Sequence, residues 1–558
     1  MIDSHFHLWT EDNSTPEKRA ERAEIVGEQA AALGVERIAL IGERGESVAE
    51  CRENNRTVGK YVEEYPDLFY GWARANPKWG EEGVAEFRRA VEEDGLIGLK
   101  LYAQVYLDDP RVEPFAEAAV EMDVPILSHV SQRNEPFESL EAESYSEHVV
   151  GLAEKFPDLK LLSAHIGGGG HWEHRIKNIQ DYDNVYLDTS GSVCDHGSLE
   201  MAAEYLGTDR LVFGTDTWFL PGVGKLRGAD LTPEEKADIA YNFENLIPET
   251  VPNKLSADAV AAGIDRARSH FEERAQPREE TIVDANAYLG EFPWRPIDAE
   301  PDELLAKMDE KGVDRAVVSS LDAVFYRDVH RGNEELAAAI EDHEDRFIPF
   351  ATIDPTFPGW RKDLRESVEE LGMKGVRLFP AYHDYDIDDD AVVELLEACA
   401  DYDVPAMFVA TLEDKRQRHP RFKLRDHDDI RNKHWGAGHV EALIDALTRA
   451  PETDVIIANG WGSAPEIIRE VATSYPSGVR LNNFVREGQT LFVLDDLFMF
   501  FRYQGADLVD ELGVDRLVTG PKLPMLYFDS HYIYTENLPV SEDDKDRVRS
   551  ENVLSLLE

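Results

Sequence analysis

Six residues spread over the first 216 positions have types and settings that could do metal chemistry: Asp3, His5 and His7 near the amino end, then His129, His165 and Asp216. In a β-strand alternate side chains share a face, so Asp3-Ser-His5-Phe-His7 puts both imidazoles on one side, where they can share an ion. A lone His-x-His fits equally a strand with two hydrogen-bonded histidines. What favours the metal is that His129, His165 and Asp216 each close a β-rich run of their own: Pro125-Ile-Leu-Ser-His129, Leu159-Lys-Leu-Leu-Ser-Ala-His165 and Leu211-Val-Phe-Gly-Thr-Asp216. Imidazole and carboxylate with little thiolate is the donor set of a catalytic divalent ion rather than of a structural zinc.

Bringing such groups together requires a particular scaffold. Further β-rich runs at Arg37-Ile-Ala-Leu-Ile-Gly42, Phe69-Tyr-Gly-Trp-Ala73, Leu96-Ile-Gly-Leu-Lys-Leu-Tyr102 and Val185-Tyr-Leu-Asp188 join the four above, giving eight strands. Segments such as Pro16 to Leu33 and Val112 to Met122 carry apolar residues at helical spacing between them. Eight strand and helix units in about 220 residues have the rhythm of a (β/α)8 barrel, whose strands all open their carboxyl ends on one mouth. Thr232-Pro-Glu-Glu235 reads as an N-cap with proline in the first turn and glutamate three residues on, so a helix follows the last strand.

Residues 248–280 read as a polar linker and connecting helix, and past them the pattern restarts. Thr281-Ile-Val-Asp-Ala-Asn-Ala-Tyr-Leu289 mirrors the opening strand, Lys311-Gly-Val-Asp-Arg315 mirrors Leu33-Gly-Val-Glu-Arg37, and Asp345-Arg-Phe347 mirrors Asp67-Leu-Phe69; 311 − 33 and 345 − 67 both equal 278. That period is a tandem duplication of a domain, not a solenoid. The expected fold class is therefore α/β, with two tandem (β/α)8 barrels of the TIM type, residues 1–247 and 281–558. In the second copy His5 aligns with Asn286, His7 with Tyr288, His129 with Val409, His165 with Asn459 and Asp216 with Lys522. None of these is a good divalent-metal ligand, so the second barrel is expected to have kept its fold and lost its site.

Composition narrows the partners. The 558 residues include 58 basic against 112 acidic side chains, a formal charge of −54, which argues against nucleic acid or an anionic membrane surface. The acid is spread over the whole chain, as in proteins of salt-accumulating cytoplasms, and self-repulsion should destabilise the protein at low salt. Cys51, Cys194 and Cys399 lie far apart and form no Cys-x-x-Cys pair, so a reducing, cytoplasmic setting is expected, with neither a disulfide framework nor a thiolate zinc site. No apolar run approaches a membrane span.

Asp3-x-His5-x-His7, Ser163-Ala-His-Ile-Gly167, Phe213-Gly-Thr-Asp216 and the last helix around Asn242 resemble the motifs of the amidohydrolase superfamily. They are most similar to the branch of aminocarboxymuconate semialdehyde decarboxylase, aromatic-acid decarboxylases and dicarboxylate lactonases, by specific motifs over residues 1–247 and by fold pattern alone over 281–558. The resemblance implies one catalytic divalent ion, zinc first and manganese as the alternative, held by His5, His7, His129 and Asp216, with His165 as a catalytic histidine beside it. Asp216 would then be the general base toward a metal-activated water, and His165 would stabilise the oxyanion or protonate the leaving group. Asp3, one strand step deeper, is expected to support the ligands.

Lys100, Tyr102, Arg133 and Trp218 lie near strand ends and are candidate contacts to a small carboxylated substrate. Lys100 ends strand four, where binuclear relatives in the wider superfamily carry a carbamylated lysine; a substrate-carboxylate contact or a structural role is preferred here. Gly167-Gly-Gly-Gly170 is a candidate anion nest. The expected activity is hydrolysis of a small carboxylated lactone, ester or amide. The alternatives are non-oxidative decarboxylation of an aromatic or unsaturated acid, and a metal-binding protein without turnover. The second barrel is expected to pack on the first as an intramolecular pseudo-dimer, with further homo-oligomerisation left open.

Overall fold

Short, buried strands alternating with helices can satisfy their backbone only by pairing with one another under a helical cover, and the first half of the chain does so in sequence order. The computed structural model describes residues 1–8, 15–133, 140, 142–166, 170–414, 416–417, 437–458, 490–494, 509–510 and 513–557. Strands β1 (Ile2–His7), β2 (Arg37–Ile41), β3 (Phe69–Arg74), β4 (Leu99–Leu101), β5 (Ile126–Ser128), β6 (Leu161–Ser163), β7 (Val185–Asp188) and β8 (Leu211–Val212) each run parallel to the next. The ring closes where the Ser4 N–H donates to the Phe213 carbonyl at 3.0 Å and the Asp216 N–H to the His5 carbonyl at 2.7 Å. This is the expected (β/α)8 barrel.

Local chemistry explains its elements. The period of two on β1 sends Phe6 outward to stack on Phe219 at 4.8 Å, in the helix Phe219–Gly228, while His5 and His7 turn to the end of β8. Thr232 and Glu235 form the expected capping box of the helix Pro233–Tyr241. Two asparagines fasten helices to strands. Asn55, in the helix Val48–Glu64, exchanges hydrogen bonds of 2.8 and 3.0 Å with the backbone of Arg74, and the Asn242 amide donates to the carbonyls of Thr208 and Leu211.

The chain divides into two units, Met1–Arg274 and Ala275–Glu558. The helix Ala257–Arg274 therefore belongs to the first: it buries Gly263, Ala267 and Phe271, its Arg266 pairs with Glu36 at 2.8 Å, and a Cβ at Gly263 would meet the Tyr241 ring at 2.3 Å. In the second unit β9 (Val283–Leu289), β10 (Arg315–Ser320), β11 (Phe347–Thr352), β12 (Gly375–Leu378), β13 (Ala406–Val409), β14 (Val455–Ala458), β15 (Thr490–Leu494) and β16 (Leu517–Thr519) repeat the parallel order. The Tyr288 N–H donates to the Leu523 carbonyl at 2.9 Å, across the same closure. Phe408 pairs with Leu378 as Ser128 pairs with Leu101, so Val409 occupies the position of His129. Asn459 and residues 167–169 lie outside the described residues. Among the described residues no helix is long and apolar enough to cross a membrane.

Candidate metal centre

Three donor atoms meet at the mouth of the first barrel. Nε2 of His5 and Nε2 of His7 are 3.2 Å apart, and Asp216 Oδ1 lies 3.3 Å from each. Nitrogen and oxygen ligands at about 2.0–2.2 Å from an ion stand roughly 3 Å from one another, so the three fit a single divalent cation. Both imidazoles have pKa values well below the usual histidine range, above all through burial and secondarily through positive neighbours, Lys100 for His5 and His5 itself for His7. Both rings are therefore neutral. Asp216 takes a left-handed backbone, φ 55°, and Thr217 follows at 88°, a conformation that L-residues hold only where the surroundings impose it. The second oxygen of Asp216, Oδ2, faces His165 Nδ1 at 3.6 Å.

Behind these donors stands Asp188, at the end of β7. Its Oδ2 is 2.8 Å from His5 Nδ1, which places the proton of His5 on Nδ1 and leaves Nε2 bare. Its Oδ1 accepts from the backbone N–H of His165 at 2.6 Å, from that of Ser190 at 3.1 Å and from the Ser190 hydroxyl at 2.6 Å. Ser190 Oγ in turn lies 2.9 Å from His165 Nδ1. The buried Lys225 ammonium fixes this turn by donating to the carbonyls of Thr189 and Gly191 at 2.9 and 3.0 Å. Asp3 accepts from the backbone of His5 and from the backbone and hydroxyl of Thr215, so it ties β1 to the end of β8.

His129 sits to one side of the three donors. Its Nε2 is 2.9 Å from Glu143 Oε1 and its Nδ1 is 2.9 Å from His165 Nε2. Arg133, a candidate substrate contact, is paired with Glu143 at 2.9 Å and braces it. Ionised carboxylates only accept, so His129 donates from Nε2 to Glu143, and His165 donates from Nδ1 to Ser190, whose own proton goes to Asp188. Burial holds both rings below the usual histidine pKa and hence neutral. Each ring has then placed its one proton, and the lone pairs of His129 Nδ1 and His165 Nε2 face each other, an arrangement that a shared cation relieves. The structure thus gathers His5, His7 and Asp216 into one donor group and sets His129 beside it through His165, whose ring lies 4.9 Å from that of His5.

The walls are cationic. Lys100 on β4 is buried with Nζ 3.0 Å from His5 Nε2; desolvation lowers its pKa against the attraction of Asp216. Arg74, at the end of β3, is buried as well, with Nη2 3.3 Å from His7 Nδ1 and Nε on the Gly42 carbonyl. Arg44 covers the Tyr102 ring at 4.2 Å, and that ring lies 4.6 Å from His129. Trp218 stands at the N-cap of the helix Phe219–Gly228.

Asp188, Ser190, Glu143 and Arg74 escaped the sequence reading, yet the duplication contains a signal for two of them. Asp188 pairs with Val212 as Val493 pairs with Val518, so the second copy has valine in that place. Arg74 shares the 278-residue offset with Thr352. Both positions lose their charge where the histidines are lost.

A (β/α)8 barrel with paired histidines on its first strand and an aspartate after its eighth is the scaffold of metal-dependent enzymes that work at the mouth of the barrel. The chain belongs to the amidohydrolase family, whose sequence pattern matches residues 2–242 and again 264–552. It is 26% identical over 226 residues to a 2-keto-4-carboxy-3-hexenedioate hydratase of Sphingobium sp., covering 34% of this chain and 64% of that protein. It is 27% identical over 216 residues to a gamma-resorcylate decarboxylase of Polaromonas sp., covering 30% of this chain and 65% of that protein. The matched region spans a little under two thirds of the length of these relatives. A solved dihydroxybenzoic acid decarboxylase of Polaromonas sp., with bound manganese and the inhibitor 2-nitroresorcinol, is similar at 18% identity and a TM-score of 0.34, over 44% of this chain and 97% of that one.

Proposed function

We propose that the first barrel is a metal-dependent enzyme that decarboxylates a small hydroxybenzoate-type or otherwise unsaturated acid. The observation that carries this reading is the pairing of the His5, His7 and Asp216 donor group with the guanidinium groups of Arg74 and Arg44 and the buried amine of Lys100, inside a chain of net charge −54. Positive charge concentrated at one mouth of an acidic protein selects an anionic substrate. The two curated relatives are named for decarboxylation and hydration of carboxylated compounds, which moves decarboxylation ahead of the hydrolysis expected from sequence. One divalent ion, zinc or manganese, would be held by His5, His7 and Asp216 with His129 as the fourth ligand, and when bound it supplies Lewis acidity toward an oxygen of the substrate.

The protein's own groups have separate tasks. Loss of CO2 leaves a carbon that must take up a proton. Asp216 delivers it from Oδ2, the oxygen turned away from His5 and His7 and toward His165. That oxygen regains a solvent proton through His165, which takes one on Nε2 as it gives up the one on Nδ1, 3.6 Å away. Tyr102 and Arg44 line the wall against which the substrate lies.

The test is a turnover screen of metal-loaded full-length protein in high salt, with 2,6-dihydroxybenzoate and related acids set against a panel of lactones. Metal-dependent CO2 release from a hydroxybenzoate-type acid is expected. Lactone opening without CO2 from any acid would replace decarboxylation by hydrolysis.

A further inference from the structure

We infer that Asp188 is a positioning residue for two rings at once: it fixes the proton of His5 directly and that of His165 through Ser190, so that one carboxylate sets both a metal ligand and a proton-transfer group. Each oxygen has its own ring. Oδ2 takes the Nδ1–H of His5 at 2.8 Å. Oδ1 takes the Ser190 hydroxyl proton at 2.6 Å, and the lone pairs this leaves on Ser190 Oγ take the Nδ1–H of His165 at 2.9 Å. In a neutral imidazole the proton on Nδ1 obliges Nε2 to be bare. His5 therefore points a lone pair at the donor group it shares with His7 and Asp216, and His165 points one toward His129.

A purely structural role would make the carboxylate a requirement of the β6–β7–β8 pairing, since Asp188 also binds the backbone of His165 and Ser190. The second barrel speaks against that. Val493 stands at the equivalent register of β15, buried and paired to Val518, and the sheet is continuous there. The carboxylate is present in the barrel that keeps its histidines and replaced by an apolar side chain in the one that lost them.

The division of labour predicts different outcomes for the two residues. Asp188→Asn presents an amide donor or a weaker acceptor to His5, and should weaken zinc or manganese binding by about 10- to 100-fold, the usual effect of removing such a partner. Ser190→Ala removes a 3.3 Å contact of the hydroxyl with His5 Nδ1 but keeps the 2.8 Å bond of that nitrogen to Asp188, so it should bind the metal within about threefold of wild type, while releasing the proton of His165. Ser190→Thr keeps the hydroxyl and should behave as wild type. Chelator competition with the metal alone measures the first effect, and nitrogen NMR of histidine-labelled full-length protein reads the second as loss of a single Nδ1–H signal that threonine restores. Thermal melting of each variant identifies any loss of fold. Neither measurement needs a substrate, so they stand if the proposed decarboxylation fails. Wild-type metal affinity in folded Asp188→Asn, or identical histidine spectra for Ser190→Ala and wild type, would overturn the inference. With an active substrate in hand, Ser190→Ala should lose about tenfold or more in turnover at unchanged metal content, and Ser190→Thr should recover it.

Discussion

In the first barrel Asp3 accepts from the backbone of His5 and Thr215; in the second Asp284 accepts from the backbone of Asn286 and Leu523, at 2.9 and 3.0 Å. Asn242 is matched by Asn552, whose amide donates to the carbonyls of Val514 and Leu517. Asn55 is matched by Asn333, which exchanges two 2.8 Å hydrogen bonds with Thr352. Even the left-handed backbone of Asp216, φ 55°, returns at Lys522, φ 66°. These features survive where Asn286, Tyr288 and Lys522 stand in place of His5, His7 and Asp216, so they hold strands and helices together. What differs faces the pocket. Tyr288 replaces His7 and lies 4.5 Å from the guanidinium of Arg377, which replaces Lys100 and donates to the carbonyls of Ala287 and Val317. Phe379, Met407, Val409, Ile456 and Val493 extend the same buried cluster. A barrel axis can thus be filled with packing or with chemistry on one backbone, and a left-handed residue at the end of the last strand is no sign by itself of a working site.

The strongest way to break this comparison is to write the second barrel into the first. His5→Asn with His7→Tyr should bring metal content from about one ion per chain to nearly none, and activity with it, by elemental analysis of full-length protein in high salt. The reverse pair, Asn286→His with Tyr288→His, should add no ion, because Lys522 and Val493 stay; a second ion would show that the histidines alone define the site. Next in size is Asp216→Asn, which keeps the shape and removes the proton-transferring oxygen. Turnover on the best acid found should fall by roughly 10² to 10⁴ with a smaller loss of metal. His165→Asn, which copies Asn459, should retain the ion and slow turnover by about 10².

A smaller effect comes from pH. Burial raises the pKa of Asp216 and lowers that of Lys100, each to about 7. Below that value the carboxyl holds a proton and the amine a charge, and both oppose a cation. Metal affinity measured by chelator competition should therefore fall as pH drops through about 7, by up to about tenfold per unit for each proton that must leave, and Lys100→Met should flatten the slope. A pH-independent affinity in wild type would remove both groups from the cation's surroundings. The smallest change tests the shared clamp: Asp284→Asn turns an amide donor toward one of two backbone N–H groups and should cost about 1–3 kcal/mol of stability in denaturant unfolding, with metal content unchanged. An unaltered midpoint would mean that the clamp does not support the second barrel.

The fold was legible because its evidence is local and repeated. Period-two runs between helical stretches define the strands, Thr232 and Glu235 announce a helix start that forms as written, and a constant offset of 278 betrays the duplication. The donors His5, His7 and Asp216 could be read because they close strands, and every strand end of a barrel opens on the same mouth. Their supports were less visible. Asp188 also ends a strand, but an aspartate alone specifies no partner; only the fold shows that its two oxygens reach His5 and Ser190. Glu143 lies in a connection that no periodicity constrains, and Arg133 looked like a substrate contact because its pairing with Glu143 depends on how that connection folds back. The helix Ala257–Arg274 read as a connector, since its sequence reveals an apolar face but not that Tyr241 waits under Gly263.

The stacking of Tyr288 on Arg377 constrains substitution. Restoring histidine at position 288 alone would strip a buried guanidinium of its aromatic face, and restoring it at 286 alone would put an imidazole where Val493 offers nothing to orient it. Either single histidine therefore gives a worse-packed barrel before any ion can compensate, and packing alone opposes a metal site at this mouth.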